Sequence, residues 1–175
     1  QLMSIKQSNQ TPLVLMGYLN QMLKYGEEKF CQQVVDCGIE TLIIPDLPMV
    51  EFENHYQALF DKYGLTNVFL ITPNTSEERI RKIDSYTKAF IYVVASSSIT
   101  GAKGEISKEQ IDYFKRIKAM QLKSKCIIGF GISDKPTFTT ACAHAHGAII
   151  GSAFIKHLGS HGVENIAAFI APIKA

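Results

Sequence analysis

The sequence predicts an α/β fold whose strands run parallel, and three observations support this fold class. Six short apolar runs, each rich in Val, Ile, Leu or Phe, recur along the 175 residues, and amphipathic stretches with helical spacing separate them. Near-continuous apolar runs are typical of strands that are buried on both faces, as in parallel sheets. Glycine turns follow the last two runs, at residues 129–133 and 151–153. Because the phosphate site of a (β/α)₈ barrel lies after its last two strands, these turns favour part of such a barrel over an open sheet.

The apolar runs are predicted to form the strands in chain order, at residues 13–16, 42–44, 68–71, 90–94, 126–128 and 148–150. Strands that alternate with helices imply right-handed crossovers between parallel neighbours. A complete eight-stranded barrel needs about 250 residues, or at least about 200. We therefore expect a single domain, residues 1–175, that forms an incomplete barrel of six β/α units.

The helices between these strands are predicted from apolar stripes and from residues that begin or end helices. A stripe from Phe52 to Tyr63 is followed by Gly64, and a stripe around Val34 is followed by Gly38, both typical of a left-handed residue after a helix. A final helix is expected to carry Ile166, Phe169 and Ile170, with Pro172 near its end.

Three helix starts are predicted from side chains that can cap the first turn. Thr75 with Glu78, and Ser107 with Gln110, have the spacing of a capping box. Ser133 is the expected N-cap of the helix that follows the first glycine turn.

Composition excludes several classes of partner. The chain is 46% hydrophobic and 19% charged with a net charge of +2, and its charges are interspersed, so neither nucleic acid nor a membrane surface is an expected partner. No apolar run approaches the roughly 20 residues of a membrane helix. Four cysteines without a C-x-x-C pair indicate buried free thiols in a reducing cytoplasm. The chain begins with Gln1, so we expect its N-terminus to be cut, processed or incompletely represented.

Six motifs resemble, in order and spacing, those of the tryptophan synthase α subunit family. They occupy residues 12–20 (PLVLMGYLN), 45–48 (PDLP), 71–76 (ITPNTS), 99–101 (ITG), 129–133 (GFGIS) and 151–153 (GSA). The resemblance runs from about Pro12 to about Ile170, and it implies that the six strands correspond to the third to eighth strands of the family's barrel.

The resemblance implies a lyase of tryptophan biosynthesis that cleaves indole-3-glycerol phosphate to indole and glyceraldehyde 3-phosphate by a retro-aldol reaction. This scission needs proton transfer to the indole ring and from a glycerol hydroxyl. The family performs it with two carboxylates at the ends of its first two strands, which would lie before residue 1, so the chain alone is expected to be inactive. The implied partner is a β subunit that holds pyridoxal phosphate, and no cofactor is expected in this chain.

The family's phosphate-binding positions correspond to Gly101, Gly131, Gly151 and Ser152. Glycines let a backbone N–H approach an anion closely, and the Ser152 hydroxyl can donate to a phosphate oxygen. The alternative is that these glycines serve only tight turns. Phe130 corresponds to a position that faces the indole ring, and packing within the barrel is the alternative for it.

Tyr92 corresponds to a family tyrosine near the substrate glycerol, where an ordinary pKa of about 10 suits a supporting role better than that of a base. The polar segment at 96–104 is expected to form a lid that holds ligand through Thr100 and Gly101. An ordinary surface loop is the alternative. The segment also departs from the family's commoner form, which contains an Arg, and this departure concerns how the lid would close.

Asp46 follows a predicted strand and, from the residues alone, is the first candidate for an acid or base. The resemblance instead assigns Asp46 and Asn20 to communication with the partner subunit, and assigns Tyr18 to the boundary between substrate site and partner. His144 and His146 lie two positions apart and do not converge on a helix, so no metal is expected there.

Two other functions stay open at this point. A different phosphate-binding barrel, such as a sugar-phosphate isomerase or epimerase, could share the terminal glycine turns. A subunit that binds the β partner without catalysis is the non-enzymatic alternative. An incomplete barrel would also expose strand edges, which favours swapping or pairing into a homo-oligomer.

Overall fold

A computed structural model of the chain describes residues 11–95, 106–129 and 131–174. The described residues form two units: the first contains residues up to 69 together with 86–89, and the second contains residues 70–85 and those from 90 onward. Both units are α/β with parallel sheets, as predicted. Whether they constitute one domain stays a prediction.

The first unit is built on a three-stranded parallel sheet in the order β1-β2-β3, with helices packed against it. Its strands are β1 (Val14–Met16), β2 (Thr41–Ile43) and β3 (Thr66–Val68), and its helices are α1 (Leu19–Tyr25), α2 (Glu27–Asp36) and α3, which comprises Met49–Glu51, a π-helical turn Phe52–Tyr56 and Gln57–Tyr63. The predicted end of α3 is confirmed, because Gly64 adopts the left-handed conformation with φ 67° and ψ 22°.

Aromatic side chains of α3 fill the core of the first unit. The Phe52 ring packs edge-on against Phe69 at 4.9 Å between centroids, and Phe60 is 1% exposed. On its other side α3 binds α2, since Glu27 accepts a hydrogen bond from the Tyr56 hydroxyl and lies 3.2 Å from His55 Nε2. The stripe predicted from apolar spacing therefore packs onto the sheet.

The second unit has a four-stranded parallel sheet in the order β4-β5-β6-β7. Its strands are β4 (Leu70–Ile71), β5 (Phe90–Val94), β6 (Lys125–Gly129) and β7 (Gly147–Ala148). Its helices are α4 (Glu77–Tyr86), α5 (Lys108–Ala119), α6 (Lys135–His144), α7 (Ser152–His161) and α8 (Ile166–Lys174), with a 3₁₀ turn Val163–Asn165 before α8.

The predicted strand at 68–71 is two strands in different sheets. β3 ends at Val68 and pairs with β2, whereas β4 begins at Leu70 and pairs with β5. An apolar run reports burial but not the identity of the neighbouring strand, so the prediction merged the two. The last predicted strand, 148–150, begins one residue early at Gly147, and the Ile149 N–H continues its pairing with a hydrogen bond of 2.7 Å to the Ile128 carbonyl.

The predicted starts of α4 and α5 have different outcomes. Ser107 and Gln110 form the expected capping box of α5, with Ser107 N–H donating to Gln110 Oε1 at 2.7 Å. For α4 the prediction is wrong by one residue, because Arg79 N–H donates to Ser76 Oγ at 3.3 Å. The Thr75 hydroxyl instead accepts the Thr72 N–H at 2.9 Å and closes the preceding turn.

The four cysteines are free, as expected. Cys31 and Cys126 are buried, and burial raises the pKa of each thiol to about 11, whereas Cys37 and Cys142 are only half-buried. None of the helices in the described ranges is long and apolar enough to cross a membrane.

Candidate phosphate-binding site

The two glycine turns lie at one edge of the second sheet. Strands β6 and β7 are parallel neighbours, with Ile128 opposite Ala148. Because neighbouring parallel strands end at the same edge, the chain leaves β6 through Gly131 and leaves β7 through Gly151 side by side. The fold therefore brings together two of the segments predicted to bind phosphate.

The backbone at both glycines is open to a ligand. Gly131 has φ 78°, a left-handed conformation that favours glycine, and among the described residues a Cβ added to Gly131 or to Gly151 would meet no atom within 4 Å apart from its chain neighbours. Both residues are exposed. In the described part of the chain, no side chain from another segment fills the Cβ position of either glycine, which leaves space beside the main chain there.

Helix α7 directs its N-terminus toward this edge. Gly151 is its N-cap, Ser152 is its first residue, no described side chain caps it, and its first turn contains no Asp or Glu. The N–H groups of an uncapped first turn and the positive end of the helix dipole both favour an anion. The exposed Ser152 hydroxyl adds a donor at the same place.

Helix α6, which follows the other turn, is capped differently, and the prediction of Ser133 as its N-cap is wrong. Asp134 is the N-cap, and its Oδ1 accepts the Thr137 N–H at 3.0 Å. The Thr137 hydroxyl in turn accepts the N–H groups of Ser133 at 3.1 Å and Asp134 at 3.2 Å. The Ser133 hydroxyl donates to Asp134 Oδ2 at 3.3 Å, so it serves the cap rather than the helix directly.

The two helix N-termini at this edge are therefore not equivalent. In α6 the cap already uses the N–H groups of Ser133, Asp134 and Thr137, and the hydrogen bonds from Thr137 hold the pKa of Asp134 below its usual range. Its carboxylate stays charged near neutral pH and is a poor neighbour for a phosphate. Anion binding is consequently expected at Gly131 and the start of α7. Sequence reasoning missed Asp134 and Thr137, although their spacing is that of a capping box.

Tyr92 packs against the end of β6, next to the first glycine turn. It lies in β5 opposite Ile127 of β6, and its side chain covers Gly129 so closely that a Cβ there would fall 2.9 Å from Tyr92 Cε1. The residue is 8% exposed, and burial raises the pKa of its phenol. Tyr92 is therefore a neutral phenol at physiological pH, suited to positioning and not to proton abstraction.

The residues assigned to partner communication lie together in the first unit. Asp46 Oδ1 accepts the Leu19 N–H at 2.9 Å at the start of α1, which directly follows Tyr18 and contains Asn20. Tyr18 and Asn20 are exposed. The Asp46 carboxylate thus has a structural task at a helix N-terminus.

Three histidines make defined local contacts. His157 and His161 stack on α7 with ring centroids 4.4 Å apart, as residues four apart on a helix can. His146 Nδ1 accepts the Cys126 N–H at 3.1 Å and fastens β7 to β6. Among the described residues no three His, Cys, Asp or Glu side chains cluster in a way that could hold a metal ion.

Three predicted site residues, Thr100, Gly101 and Phe130, lie outside the described residues, as does the predicted lid at 96–104. Their assignments stay predictions.

Comparison with known proteins gives a consistent result. A family model described as the tryptophan synthase alpha chain matches residues 2–171. The tryptophan synthase alpha chain of Flavobacterium johnsoniae is 52% identical over 174 residues, which cover 99% of this chain and 69% of the relative. That of Flavobacterium psychrophilum is 53% identical over 173 residues, covering 99% and 68%.

Solved structures agree with the sequence relatives. The tryptophan synthase A-subunit of Pyrococcus furiosus superposes with a TM-score of 0.87 at 28% identity, covering 99% of this chain and 70% of that one. A chain from the tryptophan synthase α2β2 complex of the same organism gives a TM-score of 0.85 at 29% identity, covering 99% and 69%.

Proposed function

Because this chain belongs to the tryptophan synthase alpha chain family, a family of lyases, we propose that it provides the phosphate-binding part of a site that cleaves indole-3-glycerol phosphate to indole and glyceraldehyde 3-phosphate. The observation that carries this proposal is the uncapped N-terminus of α7 beside the open backbone of Gly131. Gly131, Gly151 and Ser152 would hold the phosphate, with Gly101 as a fourth contact. The indole and glycerol parts would contact Phe130, Tyr92, Thr100 and Tyr18.

The chemistry requires an acid–base pair that the proposed site does not contain among its described residues. Tyr92 is a buried neutral phenol, Asp134 is engaged in the cap of α6, and Asp46 bonds the Leu19 N–H. On this proposal the six β/α units correspond to the third to eighth units of the family barrel, and the family's two carboxylates come from its first two. The 175-residue polypeptide by itself would bind substrate analogues and release little indole.

The proposed partner is a tryptophan synthase β subunit. A Pyrococcus furiosus structural neighbour is part of an α2β2 complex. Asn20 and Asp46, which lie together at the start of α1, would face that partner. Pyridoxal phosphate would belong to the β subunit, this chain would need no cofactor of its own, and the setting would be cytoplasmic.

Pairing with a second copy is an alternative use of the free strand edges. In the described ranges β1 is hydrogen-bonded to a strand on one side only, and so is β7. Val14 and Met16 of β1 are 43% and 57% exposed. Because exposed apolar edge strands recruit other strands, a homo-oligomer through these edges is the expected state when no other chain covers them.

Binding of indole-3-propanol phosphate to the full chain tests the proposed site, with ribulose 5-phosphate as the competing ligand class. We expect the indole phosphate to bind and the pentose phosphate not to bind. Ser152→Ala should weaken binding several-fold, while Ser160→Ala at the other end of α7 should not. Preferential binding of the pentose phosphate would instead favour a sugar-phosphate enzyme.

Two further assays separate catalysis from partner binding. A steady-state assay of the 175-residue chain should detect little release of indole, and substantial release would contradict the proposed absence of the acid–base pair. Titration with a β subunit, with and without indole-3-glycerol phosphate, measures association independently of turnover. Absence of any association would remove the β subunit as the proposed partner.

A further inference from the structure

The turn that contains Gly131 is fastened at both ends by hydrogen bonds. At its beginning, the Gly129 carbonyl accepts the Ala95 N–H at 2.9 Å, which ties it to the end of β5. At its end, the Thr137 hydroxyl accepts the N–H groups of Ser133 and Asp134 at 3.1 and 3.2 Å. Gly131 lies in the chain between these two sets of hydrogen bonds.

Thr137 is well placed to act as a rigid anchor. It is 3% exposed, and its hydroxyl lies 2.7 Å from Asp134 Oδ1 and 3.1 Å from the Asp134 carbonyl oxygen, to which it donates. With its proton directed at Asp134, the oxygen presents its lone pairs to the two N–H groups. The Thr137 side chain therefore sets the path of the backbone from Ser133 into α6.

We propose that Thr137 is a positioning residue for phosphate binding, which acts by holding the Gly131 turn in its left-handed conformation and by occupying the donors of α6. The inference rests on the proposed function, because it concerns the same phosphate. Glycine samples many backbone conformations, so Gly131 alone does not preserve φ 78° in the absence of ligand. A turn already held in the bound conformation does not need to be ordered when the anion arrives.

The second effect concerns where the anion binds. The N–H groups of Ser133 and Asp134 donate to the Thr137 hydroxyl, so they are not available to the ligand. Asp134 also places a negative charge at the start of α6. The first turn of α7 contains no acidic residue, and within the described ranges no side chain caps it. Thr137 thereby restricts the phosphate to Gly131, Gly151 and Ser152.

The test is titration of the full chain with glycerol 3-phosphate, followed through the backbone amide NMR shifts of Gly131, Gly151 and Ser152. Thr137→Val removes the hydroxyl at nearly constant volume and should weaken binding about tenfold, a change of about 1.4 kcal/mol. Thr137→Ser keeps the hydroxyl and should stay within about twofold of the unmodified chain. Thr137→Ala removes the same hydroxyl and replaces the valine variant if the latter does not fold.

Asp84→Ala is the matched control for loss of stability. Asp84 accepts the N–H groups of Lys123 and Ser124 at 3.0 and 2.9 Å, before β6 begins and therefore at the opposite edge of the same sheet. The Asp84→Ala variant should have a less stable second unit and an unchanged affinity for glycerol 3-phosphate. Unchanged affinity in Thr137→Val, or an equal loss in Asp84→Ala, would overturn the positioning role. If the unmodified chain shows no shifts at the three amides, the proposed phosphate site itself fails, and this inference fails with it.

Discussion

Replacement of Gly129 by alanine should damage the second unit through one identifiable collision. An added Cβ would lie 2.9 Å from Tyr92 Cε1 and nearer still to Cζ and Oη, whereas ordinary van der Waals contact begins at 3.4 Å. Tyr92 is 8% exposed, so its ring has little room to retreat. Overpacking of this kind costs about 1–3 kcal/mol, and because two ring carbons and the hydroxyl oxygen are involved we expect about 3 kcal/mol of lost unfolding free energy.

A double-mutant cycle isolates this collision. In a Tyr92→Leu background the offending ring atoms are gone, so Gly129→Ala should cost less than about 1 kcal/mol, which gives a coupling of about 2 kcal/mol. Urea unfolding followed by circular dichroism measures all four free energies. Gly147→Ala is the matched control, because Gly147 lies in the adjacent strand and its added Cβ would meet no atom of the described residues within 4 Å beyond its chain neighbours, and it should stay within about 0.5 kcal/mol. Equal costs of Gly129→Ala in both backgrounds would refute the reasoning.

Three other changes have outcomes that the same unfolding measurements can check. The buried Tyr113 hydroxyl has no hydrogen-bond partner among the described residues, so Tyr113→Phe should be neutral or stabilising by up to about 1 kcal/mol, and a clear loss would reveal a partner. Gln121 has φ 49° after the end of α5, so Gln121→Gly should stabilise by about 0.5–1 kcal/mol, whereas destabilisation would contradict strain there. Burial acts to raise the pKa of Asp84, but hydrogen bonds from Ser124 and Lys123 outweigh it and hold the pKa low. Its contribution, about 2 kcal/mol, is therefore present above the ordinary pKa and lost as pH falls through the lowered one, so Asp84→Ala should cost stability at pH 7 and progressively less as the pH falls below the ordinary pKa of Asp.

The prediction from sequence succeeded where one segment carries the whole signal. The strand predicted at 90–94 is Phe90–Val94 in the structure, and the end of α3 at Gly64 is confirmed by its left-handed backbone. A buried strand is visible as an apolar run, and a left-handed position favours glycine whatever surrounds it. These features depend on neighbours along the chain.

The prediction failed where two polar residues next to each other competed for one role. Thr75 and Ser76 could each begin α4, and Ser133 and Asp134 could each begin α6. Ser76 and Asp134 are the caps. In both pairs the spacing allows either residue, and the choice depends on what the other side chain bonds in the folded turn.

The sequence by itself determined the α/β class, the order of its β/α units and the family. Apolar periodicity, and glycines at positions whose backbone conformation favours glycine, are both visible in short segments of the chain. Only the tertiary structure decided that the run at 68–71 divides between two sheets, that Tyr92 rests on Gly129, and that of the two described helices starting at the edge of β6 and β7, α6 is capped by a side chain and α7 is not. Each of these depends on a neighbour brought close by strand pairing or on the hydrogen-bond partner a side chain takes in the folded turn. Residue type and spacing do not specify that partner.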